Sequence, residues 1–390
     1  MLNQDEESVE VKSVVYHLND SISLLLVEVV NENLMYKRPD TSSAFYAEIK
    51  VSALLIPDYA SRIVLDSSSI YLNDRAGEII APSSLKTMFT FKVQKGQNYY
   101  IDIKVLDLNK KIIYIKGQSV YKKENYGSQH YLVNVKKKPS FLHHFKEKDT
   151  LQIETKLQES KFVVDCFIKE FPPAFPPFST KKSDEMKYVA DSTFYLEKVD
   201  DKLEIIMPNK GFYHLRSNTL VNEGLSLFCF GNSYPGISTN EEMIKATRYI
   251  MGKDEYEKCL NAPDQKNAID EFWVNIGGSK ERAKELLKRY YNRVKEANKY
   301  YTSYCEGWKS DRGMLLIVLG KPNYIYKGKQ SETWLYGLEN NPNSFRYVFT
   351  KTNNPFSDND YVLERSQFYK DHWYQAVDIW RQGQVYLNKN

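Results

Sequence analysis

Apolar and polar residues alternate along the first third of the chain. From Val9 to about Val133, period-two or wholly apolar runs ("VEVKSVVYH", "SISLLLVEVV", "FYAEIKVSALLI", "TMFTFKVQ", "YYIDIKVLDL", "KIIYIKG") are separated by polar clusters such as "LND", "DYAS", "NDRAG" and "KGQN". Successive side chains of a strand face opposite sides, so the runs predict strands and the clusters predict turns. The recurring "YHLND" at Tyr16 and "YLND" at Tyr71 read as turn signals. Strands returning at intervals of roughly ten residues predict a sandwich or barrel.

A second stretch of the same kind runs from about Asn134 to Tyr234, with "DTLQIETKL", "KFVVDCFIKE", "STFYLEKVD", "KLEIIMP", "GFYHLRS" and "GLSLFCFG" as its strands. "FPPAFPPFSTKKSDE" interrupts it, and its closely spaced prolines cannot join a central ladder. A stiff extended connector is expected there, the alternative being a docking ligand for an aromatic groove.

The period changes at "SYPGISTNEEMIKATRYIMG". Pro235 and Gly236 end the strand pattern; Ser238 with Glu241, or Thr239 with Glu242, reads as a capping box opening a helix that Gly252 is placed to end. A short helix from about Asp254 follows, then one opening at Pro263 and closing at Gly277 and Gly278. Ser279 begins the clearest helix. Ala283, Leu286, Leu287, Tyr290, Val294, Ala297 and Tyr301 recur at helical spacing, while Lys, Arg, Glu and Asn fill the other face. Beyond it lies "EGWKSDRGMLLIVLGKPN" (306–323), in which "MLLIVL" is short and apolar on both faces, predicting a fully buried strand. "YIY", "SETWLYGL" and "SFRYVFT" predict further strands, the last two joined through "ENNPN". A helix from about Ser366 closes the chain, with Tyr369, Trp373, Ala376, Val377 and Trp380 on one stripe.

These shifts divide the chain into residues 1–133 and 134–236, two all-β domains expected to be immunoglobulin-like sandwiches, and 237–390, a helical segment with a small α+β domain. A chain of 390 residues exceeds the ~250–300 at which a single core stops growing, which agrees with the division.

Composition adds mainly exclusions. With 42% hydrophobic and 27% charged residues this is an ordinary folding chain. The net charge of +4 comes without a concentrated basic face, since Lys110, Lys111 and the run Lys136 to Lys138 are short and lie between strands, so no nucleic-acid partner is expected. "LLLVEVV" and "MLLIVL" fall far short of the ~20 residues a spanning helix needs. The acidic start "MLNQDEESVE" carries no export signal, so the protein either stays inside or is a mature form without its leader. The four cysteines are spaced too widely for a metal or redox motif; Cys166 and Cys229, inside apolar runs, are expected as buried free thiols, with a bridge between them as the alternative.

Every residue of "GWKSDRG" has a structural use. Gly307 can stop the preceding helix in a left-handed conformation, and Trp308 can tuck under its end. Ser310 and Asp311 can accept hydrogen bonds from backbone amides. Arg312 suits a carboxylate or the orphan carbonyls of a helix end, and Gly313 permits close approach or positive φ. A catalytic reading finds less. Ser310 has no histidine near it in sequence; of His17, His130, His143, His144, His214 and His372, only the last falls in the same domain. "GNSYP" lacks the final glycine of a nucleophile elbow, and no metalloprotease, phosphate-loop or dinucleotide motif is present. Asp358 and Asp360 in "SDNDY" lack the glycine and distal Glu of a calcium loop and read as turn caps. His143 and His144 point to opposite sides of an extended segment and make a poor metal pair. No cofactor or metal is expected, and catalysis is not favoured. All five tryptophans lie in the last third, where the stripe reads as core, with Trp334, Trp373 and Trp380 as the alternative aromatic surface.

"GWKSDRG" followed by "MLLIVLGKPNYIY" resembles the GWxTD-domain family of outer-membrane-bearing bacteria, whose signature is Gly-Trp-x-Thr-Asp-Arg-Gly leading into an apolar strand and a Gly-x-Pro turn. "YPGISTNEEM", "AIDEFW", "ERAKELLKRYYNRVKEANKYY", "ETWLYG", "NPFSDNDYVLERS" and "WYQAVDIWRQG" are similar to further blocks of that family, and "VVYHLNDSISLLL" resembles its leading β domain. Gly307, Trp308, Ser310, Asp311, Arg312 and Gly313 map onto the signature, with Ser310 standing where it has Thr and keeping the hydroxyl. The resemblance implies an exported envelope protein, often lipid-anchored at its N-terminus, with no established activity, so no catalytic residue carries over. The expectation is a non-catalytic interaction or assembly protein of the periplasm or outer membrane. Its partners would be other envelope proteins, and any membrane association would run through a removed N-terminal lipid anchor. The alternative is a glycan- or peptide-binding protein using an aromatic surface of the C-terminal domain.

Overall fold

The computed structural model describes residues 9–181, 189–328 and 330–387. Lys182 to Glu185 of the proline-rich segment and the acidic start, residues 1–8, lie outside the described residues.

The first unit holds seven strands: β1 (Val11–Asn19), β2 (Ile22–Val30), β3 (Phe45–Ile56), β4 (Asp66–Ala76), β5 (Ser84–Lys92), β6 (Asn98–Asp107) and β7 (Ile112–Tyr121). They form two antiparallel sheets, ordered β1-β2-β5 and β4-β3-β6-β7. Alternate residues of the two sheets, Leu25, Val27 and Val29 on one and Ile49, Val51, Ile101 and Ile103 on the other, pack into a shared core. Of the expected turns, "YLND" lies inside β4, and "NDRAG" spans its last four residues and the Gly77 that follows. This edge strand exposes nearly every side chain, so no buried face imposes alternation on its sequence.

The second unit holds β8 (Tyr131–Val135), β9 (Lys138–Pro139), β10 (Thr150–Thr155), β11 (Lys161–Phe167), β12 (Ser192–Glu197), β13 (Lys202–Ile206), β14 (Gly211–Arg216) and β15 (Leu225–Cys229). Its antiparallel sheets run β13-β10-β8-β9 and β12-β11-β14-β15, and Leu151, Ile153, Val164, Leu215 and Leu227 lie in the core between them. Cys166 and Cys229 are buried free thiols, as are Cys259 and Cys305.

The third unit begins with α1 (Asn240–Thr247), α2 (Lys253–Leu260), α3 (Gln265–Gly277), α4 (Lys280–Tyr301) and α5 (Asp311–Leu319). An antiparallel sheet follows, in the order of its strands β16 (Tyr324–Lys327), β17 (Ser331–Tyr336), β18 (Phe345–Lys351) and β19 (Tyr361–Leu363); α6 (Lys370–Arg381) closes it. Thr239 caps α1 by accepting from the Glu242 amide, Gly278 ends α3 in the left-handed conformation, and Ser279 caps α4. Gly252 does not end α1, which stops at Thr247; it precedes α2, where its amide is held by the Glu255 carboxylate.

"MLLIVL" is a helix and not a strand. All nine residues of α5 are buried, so the helix is apolar on every side and shows no amphipathic period to distinguish it from a buried strand. It runs through the centre of the third core, flanked by α4, α6 and the sheet.

Two features tie the second unit to the third. Phe167, Phe212, Phe228 and Phe230 of the second pack with Phe356 of the third, whose ring stands 5.1 Å from both Phe167 and Phe212. The proline-rich segment acts as a strap. The Ala174 amide donates to the Lys309 carbonyl (2.8 Å), the Ser366 amide to the Pro177 carbonyl (3.1 Å), Arg365 to the Phe175 carbonyl (3.3 Å) and Gln367 to the Phe178 carbonyl (2.7 Å). Among the described residues no helix is long and apolar enough to cross a membrane.

Candidate functional site

The signature residues occupy the joint between α4 and α5. Gly307 to Lys309 form a 3₁₀ turn, and Ser310 caps α5: its hydroxyl accepts from the Gly313 amide (3.0 Å) and donates to the Gly307 carbonyl (2.7 Å). Gly307 does not stop α4, whose cap is Thr302. It is needed for proximity: a β-carbon there would lie 2.0 Å from the Ala297 carbonyl oxygen. Trp308 is buried; its amide donates to Asn298 Oδ1 (3.0 Å) and its carbonyl accepts from the Tyr249 hydroxyl (3.0 Å).

Asp311 and Arg312 do not pair with each other. Asp311 accepts the Leu363 amide (2.8 Å) and two guanidinium contacts from Arg365, fixing β19 to the start of α5. Arg312 reaches Glu332 of β17 (3.5 Å) and the Asn359 carbonyl (2.9 Å), clamped between the rings of Tyr361 (4.2 Å) and Tyr301 (4.9 Å). The second Glu332 oxygen accepts from Trp334 Nε1 (2.5 Å). Burial raises the Asp311 carboxyl and lowers the Arg312 guanidinium, while Arg365 and Glu332 pull each back toward its charged form. The arrangement is a buried network joining four elements, in which Asp311 and Arg312 are each held by a counter-charge and a backbone group, while Arg365 Nε has no hydrogen-bond partner among the described residues.

The aromatic surface expected from Trp334, Trp373 and Trp380 does not exist. Their exposures are 0%, 3% and 0%, because α5 runs between α6 and the sheet and both pack onto it. Trp380 donates to the Val318 carbonyl of α5 (2.9 Å), and Trp334 packs against Tyr301 and Phe349. His372, the histidine nearest the signature in sequence, is locked between the hydroxyls of Tyr347 (2.8 Å) and Tyr386 (2.7 Å), and burial lowers it to about 4. Asp360 accepts from Asn354 (2.6 Å) and burial pushes it up to about 6, while Asp358 pairs with Lys351 (3.4 Å). Among the described residues no group of three His, Cys, Asp or Glu side chains is placed to hold a metal ion.

Residues 211–382 match the GWxTD domain. The chain contains a GWxTD domain. No curated protein matches it. The match opens at Gly211, the first residue of β14, so the GWxTD domain takes β14 and β15 from the second unit together with the whole third core. Inside the GWxTD domain the partners that complete the signature, Glu332, Asn359 and Arg365, lie in "SETWLYG" and "NPFSDNDYVLERS". Sequence reasoning noted those blocks without assigning these residues; an acidic residue inside a hydrophobic strand was the signal available for Glu332.

Proposed function

We propose that this GWxTD protein is a non-catalytic interaction or assembly protein of the cell envelope, held in the periplasm or against the outer membrane through an N-terminal lipid anchor. The observation that carries the reading is the state of the signature. Asp311 and Arg312, the residues with most chemical potential, are 6% and 4% exposed and spend their hydrogen bonds on Leu363, Arg365, Glu332 and Asn359. The motif therefore maintains a shape, and the surface is what remains to act. The resemblance of the signature and its flanking blocks to envelope proteins supports this compartment. In this reading the two β units are immunoglobulin-like sandwiches that space the domain 237–390 from its anchor.

Cross-linking in intact cells followed by mass spectrometry tests the proposal. A defined heteromeric complex with envelope proteins is expected. Recovery of monomer alone from cells, with fractionation placing the protein in the cytosol, would overturn both parts.

A further inference from the structure

An open cleft of about 1860 Å³ lies where the three units meet. Its walls are β1 and β7 of the first unit, residues 141–144 and 220–226 of the second, and the end of α4 with residues 353–359 of the third. Small-molecule sites usually occupy roughly 300–1,000 Å³, so this space exceeds what one such ligand fills. Four aliphatic side chains stand in it uncovered: Ile113 (53% exposed), Ile115 (67%), Leu142 (42%) and Leu220 (91%). Ile113 and Ile115 project from the outer face of β7, which is the edge strand of its sheet and pairs only with β6.

One corner of the cleft is acidic. Glu124, from the link between β7 and β8, lies within electrostatic reach of Glu223 on the β14–β15 loop and of Asp358 before β19. Lys351 is engaged by Asp358 at 3.4 Å, Tyr121 bonds the same carboxylate, and Glu223 accepts the amides of Asn125 and Tyr126. Among the described residues Glu124 forms no ion pair, and burial, then Asp358 and Glu223, push it up to about 7. The three carboxylates of this corner outnumber Lys351, the cation that also pulls Glu124 back toward its charged form.

We propose that this cleft docks an extended polypeptide segment of a partner protein, apolar where it runs along β7 and carrying a lysine or arginine at the Glu124 corner. The inference rests on the reading of the chain as an interaction protein and adds the place and the chemistry. Exposed isoleucine and leucine select aliphatic side chains; a glycan would call for several exposed aromatic platforms, and among the described lining residues Tyr300 is the one Phe, Tyr or Trp ring that is largely exposed, at 50%. Side chains of Gln129 and His17 take the backbone of Ser119 and Tyr121 at the far end of β7, while the edge beside Ile113 and Ile115 has no strand partner among the described residues and offers backbone donors and acceptors to an added strand. The carboxylates supply the charge complement and favour a basic residue over an acidic one.

Fluorescence anisotropy with the purified full chain tests this. The probes are two short labelled peptides of alternating valine and threonine, one ending in a lysine pair and the other in a glutamate pair. The lysine peptide is expected to bind saturably, and the glutamate peptide roughly tenfold more weakly or not at all. Ile115→Asp and Asp358→Asn alter side chains that are 67% and 60% exposed, so the melting temperature should hold while each weakens the lysine peptide by roughly tenfold. Equal binding of the two peptides, lysine-peptide binding that neither variant alters, or no saturable binding would overturn the assignment of the cleft. None of these results touches the assembly reading, which cross-linking in cells decides. A cross-linked complex that persists in Ile115→Asp would place the docking surface elsewhere on the molecule.

Discussion

A β-carbon on Gly313 would sit 1.9 Å from the carbonyl oxygen of Gly307. The two glycines of the signature thus make one contact: the first turn of α5 rests on the backbone that enters it. Backbone on both sides leaves nothing flexible to give way. Gly313→Ala should cost about 3 kcal/mol in thermal melts, at the upper end of overpacking. Gly77→Ala, where a β-carbon meets nothing within 4 Å, should stay within about 0.5 kcal/mol. Equal melting of the two variants would contradict the contact.

Asp311→Ala leaves Arg365 facing a hole, and Arg312→Ala does the same to Glu332. Each should lose about 3–5 kcal/mol, as expected when one member of a buried charge pair is removed. Lys253→Ala, from a pair 84% and 56% exposed, should change little. Unchanged melting of the Asp311 or Arg312 variants together with lost partner binding would return the signature to a functional role.

His214 is buried, its ring between Ser226 Oγ (3.0 Å) and the Asn222 carbonyl (2.9 Å), and burial lowers it from 6.5 to about 4. The folded state resists the proton that the unfolded chain accepts. Its contribution is therefore complete above pH 6.5 and is lost as the pH falls toward about 4. The shift corresponds to roughly 3 kcal/mol. Melts across this range should show wild type losing more stability than His214→Gln; parallel curves would refute the assignment.

Glu124 moves the other way. Its folded value of about 7 exceeds the ordinary 4.5, so ionisation destabilises the fold as the pH rises through that window. Glu124→Gln should raise the melting temperature in mildly alkaline buffer and leave it nearly unchanged in acid. A uniform shift at both would point to packing instead.

The strap makes the third unit dependent on the second. A fragment covering 237–390 loses Ala174, Phe175 and Phe178, which support the Lys309, Arg365 and Gln367 contacts, and should melt without a cooperative transition. A fragment starting ahead of β8 keeps these contacts and should melt cooperatively. Circular dichroism on both decides the matter.

Much of this architecture was legible in sequence. Alternation marked β2, β3 and β6 because each buries one face against a partner sheet. Ser279 and the stripe from Ala283 to Tyr301 marked α4, which keeps one face in water. The failures share a cause. β4 leaves its first six residues wholly exposed and only half-buries Leu72, Asp74 and Ala76, and α5 buries every residue, so in neither is the contrast between successive residues strong enough to leave a clear period behind. The signature's partners were hidden for another reason: Arg365 lies 54 residues from Asp311 and Glu332 lies 20 from Arg312, and single-chain patterns report only neighbours. Trp334, Trp373 and Trp380 read as core and are core; the surface reading stood as an alternative because large aromatics also suit a binding face.

The strap also has a place in time. Phe175 leaves the ribosome 190 residues before Arg365, the side chain that holds its carbonyl. For nearly half of synthesis the second unit carries a proline-stiffened segment whose clamp does not yet exist. Only the last stretch of translation, bringing Arg365, Ser366 and Gln367, can close it. A prematurely ended chain would leave this exposed segment open to proteolysis at its middle, so the molecule carries an internal mark of its own completion.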